Sequence, residues 1–342
     1  MPQTAGKPPS ASSAGARSGL LGTGMFVPER VVPNAWFEGR LDTNDEWIRT
    51  RTGIKERRFA EPQTRTSELA TAAARMALKN SGLTGDDIGL VVVATTVPDM
   101  HMPSTANFVV RDLELKKAFA YDVSAACSGF LFALAGADAQ LRAGLARHAL
   151  VIGAELYSSI IDLEDRGTCV LFGDGAGAVV WGAPVDGAGG RILQTHLASQ
   201  GEYADILDCR GGGTAFRAEA VRADPKLDCV RMDGPMVFRL AVQGCCESIR
   251  QVLAAQKLAP TDISRIIPHQ ANYRIVDKIA REFDYPMERI EVNLDRYGNT
   301  AAASVPIALH EAVAAGRIRP GDLVLLVAAG AGFNSGAILM KV

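Results

Sequence analysis

The sequence predicts an α/β protein made of two related halves, and three observations carry that prediction. Helical and strand patterns alternate along the chain, the strands are nearly continuous apolar runs, and two segments 175 residues apart repeat each other. Alternation of this kind defines the α/β class. Runs such as VVVAT, ALVIGA, AGAVVWGA and LVLLVAAG are the pattern of strands buried on both faces, so the sheets must lie between helices.

The repeat pairs ALKNSGLTGDDIGLVVVATT (Ala77 to Thr96) with VLAAQKLAPTDISRIIPHQA (Val252 to Ala271). Each ends a helix, turns through a Leu-x-x-x-Asp-Ile step and enters a short β-branched strand. Leu83, Asp87 and Ile88 align with Leu258, Asp262 and Ile263. A looser echo joins LRAGLARHALVIGAE (141–155) to AVAAGRIRPGDLVLLVAAG (312–330), at a slightly smaller offset. Two echoes in one order imply two copies of one α/β unit. The expected division is a disordered tail over 1–17, a first half over 18–185 and a second half over 186–342.

Composition narrows the function. The 342 residues are 48% hydrophobic with a formal charge of −2, which gives ample core and no basic stripe for nucleic acid. No apolar run reaches the ~18 to 20 residues of a membrane helix. The start, MPQTAGKPPSASSAGARSG, has no apolar signal-peptide core, and its Pro, Ser, Ala and Gly content predicts disorder. Six cysteines at irregular spacings, with no CxxC pair, read as reduced cytoplasmic thiols without a zinc site. The charged, Gly-rich stretch 199–229 reads as a surface excursion.

The chemistry gathers where strands give way to helices. AFAYDV leads into SAACSGFLFALAG, which places Cys127 at the first turn of an Ala-rich central helix. The helix dipole and free N–H groups there favour thiolate, although a lone buried cysteine is as readily a core residue. His269 follows a strand in SRIIPHQAN. Asn299 sits in the Gly-Asn-Thr turn of LDRYGNTAAASVP, ahead of the helix that corresponds to the Cys127 helix. All three fall on the sheet edge where open α/β folds place ligands. GDGAGA (173–178) is not a dinucleotide loop, because a strand pattern follows it rather than a helix. Cys245 and Cys246 fall inside a helical run and read as packing residues.

From about Gly19 to Val342 the chain resembles the β-ketoacyl-[acyl carrier protein] synthase III family of thiolase-fold condensing enzymes. The resemblance rests on LDTNDEWIRTRTGIKERR (41–58), DVSAACSGF (122–130), DRGTCVLFGDGAGA (165–178), IPHQANYRI (267–275) and LDRYGNTAAASVP (294–306). It implies a thiolase-like fold of two duplicated halves in five layers, cytoplasmic and homodimeric. It also implies an acyltransferase that needs no cofactor, takes a coenzyme A thioester as substrate and has acyl carrier protein as partner.

By that resemblance, Cys127 carries the acyl group while His269 and Asn299 stabilise the enolate of a decarboxylating malonyl thioester. The amides of Cys127 and Ala331 form the oxyanion hole. Trp47 and Arg166 sandwich the adenine of acyl-CoA, Arg51 serves its phosphates, and Asn272 lies beside the pantetheine arm. Arg239, Arg274, Lys278 and Arg281 form a basic patch for the acidic carrier protein, or else a solvated charged face. Met102 falls where the partner subunit closes the acyl pocket.

The chain departs from the family at Gly330-Ala331-Gly332, usually three glycines, at Ala329, usually phenylalanine, and at Pro235, usually asparagine. These departures leave the acyl group open. A sibling ketosynthase that primes or joins polyketide chains is the alternative. A thiolase lacks support because no second catalytic cysteine stands near Ala331. A papain-like hydrolase would need a CGSCW-type helix start.

Overall fold

The computed structural model describes residues 18–183 and 190–342, so the tail over 1–17 and the boundary expected at 185/186 lie outside the described residues. The first half opens with β1 (Gly19–Phe26), then β2 (Val31–Pro33), α1 (Asp45–Thr52) and β3 (Glu56–Arg58). Next come α2 (Thr66–Ser81), β4 (Leu90–Ala94), α3 (Thr105–Asp112) and β5 (Phe119–Val123). It closes with α4 (Gly129–Arg142), β6 (His148–Glu155) and β7 (Gly175–Gly182). GDGAGA thus runs directly into a strand, as its sequence predicts.

The second half begins with β8 (Arg191–Ser199), β9 (Leu207–Cys209), α5 (Ala218–Ala223) and β10 (Val230–Met232). It continues through α6 (Gly234–Gln256), β11 (Arg265–Pro268), α7 (Tyr273–Glu282) and α8 (Leu294–Tyr297). It ends with α9 (Ser304–Ala314), β12 (Leu323–Gly330) and β13 (Asn334–Lys341). Pro235 lies in the first turn of α6, where a missing N–H does no harm.

The first sheet has the order β1-β7-β6-β4-β5 and the second β8-β13-β12-β11. The orders match strand for strand, except that the counterpart of β5 is reduced to a single bridge between Ile266 and Ile290. The starts of β4 and β11, of α4 and α9, and of β6 and β12 are all 175 residues apart. The smaller offset of the second echo has a local cause. Helix α9 has 11 residues to the 14 of α4, and a longer loop after it restores the register.

Burial sorts the elements into five layers. Helices α2 and α3 cover the outer face of the first sheet, packing Leu69, Ala73 and Val109 on Val91, Val93 and Val180. Helices α4 and α9 fill the middle, where Leu131, Leu134, Val305 and Leu309 meet strands from both sheets. Helices α6 and α7 close the far side through Ile249, Val276 and Ile279. The middle helices are Ala-rich because a helix wedged between two sheets is buried nearly all round. The excursion after β8 is largely exposed and carries the β9–β10 pair. Among the described residues, no helix is long and apolar enough to cross a membrane.

Candidate active site

Strand β5 delivers Cys127 into a tight turn, Ala126–Ser128, directly ahead of α4. Cys127 therefore precedes the helix proper instead of lying in its first turn. Ala126 has φ of 46°, a left-handed conformation that costs a non-glycine residue roughly 1–2 kcal/mol. The Ser128 hydroxyl donates to the Ala125 carbonyl at 2.7 Å and closes the turn. The second half repeats the device: the turn Ala301–Ala303 precedes α9, with Ala301 at φ of 44°.

The thiolate expected from the helix dipole is not the resting state. Burial pushes the Cys127 thiol up to about 12, and the nearby Glu155 adds to the rise. Cys127 is 4% exposed, and desolvation of an anion there outweighs what its own N–H supplies. Cys127 is thus held as a neutral thiol in this structure.

His269 leaves the end of β11 with its backbone N–H donating to the Val327 carbonyl of β12 at 2.8 Å. Burial pushes its imidazole down to about 3, so the ring is neutral. Its Nδ1 lies 2.6 Å from Ser304 Oγ, the first residue of α9. That oxygen accepts the Gln270 N–H at 3.4 Å, so its own proton is free to go to Nδ1. The hydrogen-bond pattern assigns the remaining ring proton to Nε2.

Asn299 is held from both sides. Its backbone N–H donates to the Leu171 carbonyl at 2.8 Å, and its carbonyl accepts from Gly173 at 3.0 Å. Its side-chain oxygen accepts the Ala301 N–H at 2.9 Å, which leaves the amide NH2 as the group available to a ligand. The loop around Leu171 is itself anchored by the fully buried Arg57, whose guanidinium donates to the Val170 carbonyl at 2.6 Å.

Cys127, His269 and Asn299 line one cavity of about 90 Å³. Asn272, Ala329 and Gly330 join its wall, and the rest is mainly apolar, including Tyr157, Phe172, Leu207, Phe238 and Phe333. Ala331 follows Gly330 and is half-buried. Met102 is not brought to this cavity; it stands 81% exposed on the loop before α3. Ala329 does line this cavity.

Sequence reasoning passed over Ser304, Tyr157 and Glu155. The signals existed: a serine at the start of the helix after GNTAAA, and an acid that closes the apolar strand ALVIGAE.

At the outer rim, Arg51 and Arg166 both lie over the Trp47 indole, with guanidinium carbons 4.5 Å and 4.6 Å from the ring centre. Arg166 is held there by Asp42, at 3.1 Å from the carboxylate. A planar base between Trp47 and Arg166 would need about 3.5–4 Å on each face, more than the present spacing leaves. Asn272 caps α7, and its side-chain NH2 donates to the Arg51 carbonyl at 3.1 Å, which ties α7 to α1.

Arg274, Lys278 and Arg281 follow one another along an exposed face of α7, and Arg239 is exposed on α6. Arg274 donates to the Thr50 carbonyl at 3.0 Å, and Arg281 pairs with Asp277 at 3.0 Å. Among the described residues, no three His, Cys, Asp or Glu side chains converge as metal ligands.

Comparison with known proteins agrees with this geometry. Residues 121–201 match the family described as 3-oxoacyl-[acyl-carrier-protein (ACP)] synthase III, and residues 253–342 match its C-terminal region. The chain is 46% identical over 333 residues to the β-ketoacyl-[acyl-carrier-protein] synthase III of Paracoccus denitrificans, covering 95% of this chain and 99% of that protein. The crystal structure of 3-oxoacyl-[acyl-carrier-protein] synthase III from Aquifex aeolicus superimposes with a TM-score of 0.87 at 42% identity, covering 95% of this chain and all of that one. The priming β-ketosynthase of the R1128 polyketide pathway superimposes with a TM-score of 0.88 at 34% identity, covering 98% and 99%. With thiol, imidazole and amide converging in one cavity of a duplicated five-layered fold, and relatives matched over nearly full length, this chain belongs to the β-ketoacyl-[acyl-carrier-protein] synthase III family.

Proposed function

We propose that the chain catalyses the decarboxylative Claisen condensation that initiates fatty acid synthesis, joining an acyl group taken from coenzyme A to malonyl-acyl carrier protein. The observation that carries this reading is the convergence of Cys127, a neutral His269 and the free amide of Asn299 on one apolar cavity.

In the first step the Cys127 sulfur attacks the acyl thioester, and the amides of Cys127 and Ala331 receive the oxyanion. The thiol proton leaves on the coenzyme A sulfur. In the second step the malonyl group loses CO2, and its enolate oxygen takes hydrogen bonds from His269 Nε2 and the Asn299 amide. The enolate carbon then attacks the acyl carbonyl and releases Cys127. Trp47, Arg51 and Arg166 grip the coenzyme A nucleotide, and Arg239, Arg274, Lys278 and Arg281 receive the carrier protein.

The chain acts as a homodimer in this reading. Met100, Met102 and Phe119, all exposed, lie on β5 and the loop before α3, where β5 leaves a sheet edge open. Met102 of each chain then reaches the partner's acyl pocket. Likeness to the priming polyketide synthase supports a second reading, in which the same chemistry starts a polyketide on a dedicated carrier.

The test is intact-protein mass after mixing with a panel of acyl-CoAs, beside Cys127→Ala. A mass gain from a short acyl-CoA, absent in the variant, is the expected result. A gain only from acyl-carrier proteins would move the assignment to the polyketide reading, and no gain from either would overturn both.

A further inference from the structure

Glu155, the last residue of β6, is fully buried, and the condensation steps above give it no task. It sits in a hydrogen-bonded chain. The Thr96 backbone N–H donates to its carboxyl at 3.1 Å, the Thr96 hydroxyl lies 3.1 Å from the same oxygen, and the Thr95 hydroxyl lies 3.3 Å away. The Thr96 hydroxyl is also 3.2 Å from the Tyr157 phenol oxygen. Tyr157 is stacked on Phe172, with ring centres 4.5 Å apart, and both line the cavity with Cys127. A row of exchangeable protons therefore runs from a buried carboxyl through Thr96 to the Tyr157 phenol, and Tyr157 lines the cavity that holds the thiol.

A threonine hydroxyl has one proton to give, so Glu155 sets the direction of the path. With the carboxyl protonated, Glu155 donates to Thr96, Thr96 donates to Tyr157, and the phenol proton is left for the cavity. The condensation needs such a donor. When the carbon–carbon bond forms, the carbon–sulfur bond to Cys127 breaks and its electron pair stays on sulfur. Loss of CO2 from a malonyl carboxylate releases no proton that could quench it.

We propose that Glu155, acting through Thr96 and Tyr157, returns the proton that restores the Cys127 thiol after each condensation. The phenol proton passes to sulfur, the Thr96 proton to the phenol oxygen and the Glu155 proton to Thr96. The carboxylate then regains a proton from water, which accounts for the one proton consumed per turnover. The acylation step does not call on the path, because its thiol proton departs with coenzyme A.

The electrostatics agree. Burial pushes the Glu155 carboxyl up to about 8, against the opposing hydrogen bonds of Thr96, Ala302 and Thr95. The titratable groups it couples to are Cys127 and Tyr157. Neighbouring strands β4 and β7 bring Thr95, Thr96 and Gly175, and the turn at Ala302 brings backbone.

The inference rests on the condensing function proposed above, so the test measures the two half-reactions separately: acylation by acyl-CoA, and condensation of the pre-acylated enzyme with malonyl-carrier protein. Tyr157→Phe keeps the ring stack and removes the relay. It is expected to slow condensation on the order of 10²-fold more than acylation. It should also abolish the decline in condensation that the wild type shows as pH rises past about 8. Glu155→Gln is expected to abolish the same decline. Equal losses in both half-reactions, or a Tyr157→Phe profile like that of the wild type, would overturn the relay. A wild type that no donor acylates would instead overturn the condensing function itself.

Discussion

Gly330 lies so close to Cys127 that a Cβ built on it would stand 2.7 Å from the Cys127 amide nitrogen and 2.9 Å from the Cys127 Cβ. Backbone from the second half is thereby pressed against the proposed nucleophile of the first, and Gly330 leads into Ala331, the other proposed oxyanion donor. Gly330→Ala must separate the two. Its acylation rate is expected to fall on the order of 10²-fold or more, with the far-UV spectrum unchanged. Acylation at the wild-type rate would show that the two amides do not work as a pair.

In the proposed mechanism His269 and Asn299 serve the enolate, not the acyl transfer. His269→Ala and Asn299→Ala should each slow condensation on the order of 10²- to 10³-fold while Cys127 still takes up an acyl group. Ser304→Ala frees His269 Nδ1, so the ring proton is no longer directed to Nε2. The expected loss is on the order of tenfold in condensation, recovered by Ser304→Thr, which keeps the hydroxyl. Rates for all four variants come from quenched single turnovers of pre-acylated enzyme.

In the proposed function the Trp47 face binds the nucleotide of the acyl donor. Trp47→Ala removes the surface on which Arg51 and Arg166 rest. An adenine stack with a cationic partner contributes on the order of 1–2 kcal/mol, so KM for acyl-CoA should rise on the order of tenfold. Condensation of enzyme already acylated should keep its rate. A KM for acyl-CoA equal to that of the wild type would place the nucleotide elsewhere.

Two buried groups act on stability with opposite signs. His269 stays neutral in the fold down to about 3, whereas the unfolded imidazole protonates below its ordinary 6.5. Between those values the unfolded state binds the extra proton, so stability falls as pH drops from 6.5 toward 3. Glu155 keeps its proton in the fold up to about 8, against an ordinary 4.5. Across that window the folded state binds the extra proton, so stability falls as pH rises from 4.5 toward 8. Glu155→Gln removes the second slope. Its Tm, measured against wild type in a series of buffers, should gain steadily from pH 5 to pH 8.

Much of this architecture was legible because it is written in short-range pattern. Apolar runs marked the buried strands, and the 175-residue repeat marked the halves. Cys127 and His269 were legible because each follows a strand and precedes a helix; Asn299 was legible from its Gly-Asn-Thr turn ahead of α9, although the structure puts the short helix α8, not a strand, before it. The protonation state of Cys127 was not legible: a helix end is visible in sequence, but the burial that overrides it comes from Tyr157, Phe172 and other distant residues. Glu155 and Tyr157 were missed for the same reason. They are joined to each other through Thr96, about 60 residues upstream just past a neighbouring strand, and Tyr157 meets the Cys127 cavity only in the fold. Met102 was legible only as a family position, because a single chain leaves it in solvent.

The repeat also settles a matter of stoichiometry. Carried across by 175 residues, Cys127 falls on Ala302, in the turn that opens with the second left-handed alanine. The backbone device is present twice, but the sulfur is present once. If Cys127 is the acylated residue as proposed, this pair of turns loads one acyl group per chain however large the excess of donor, and a titration of the site stops at a single equivalent.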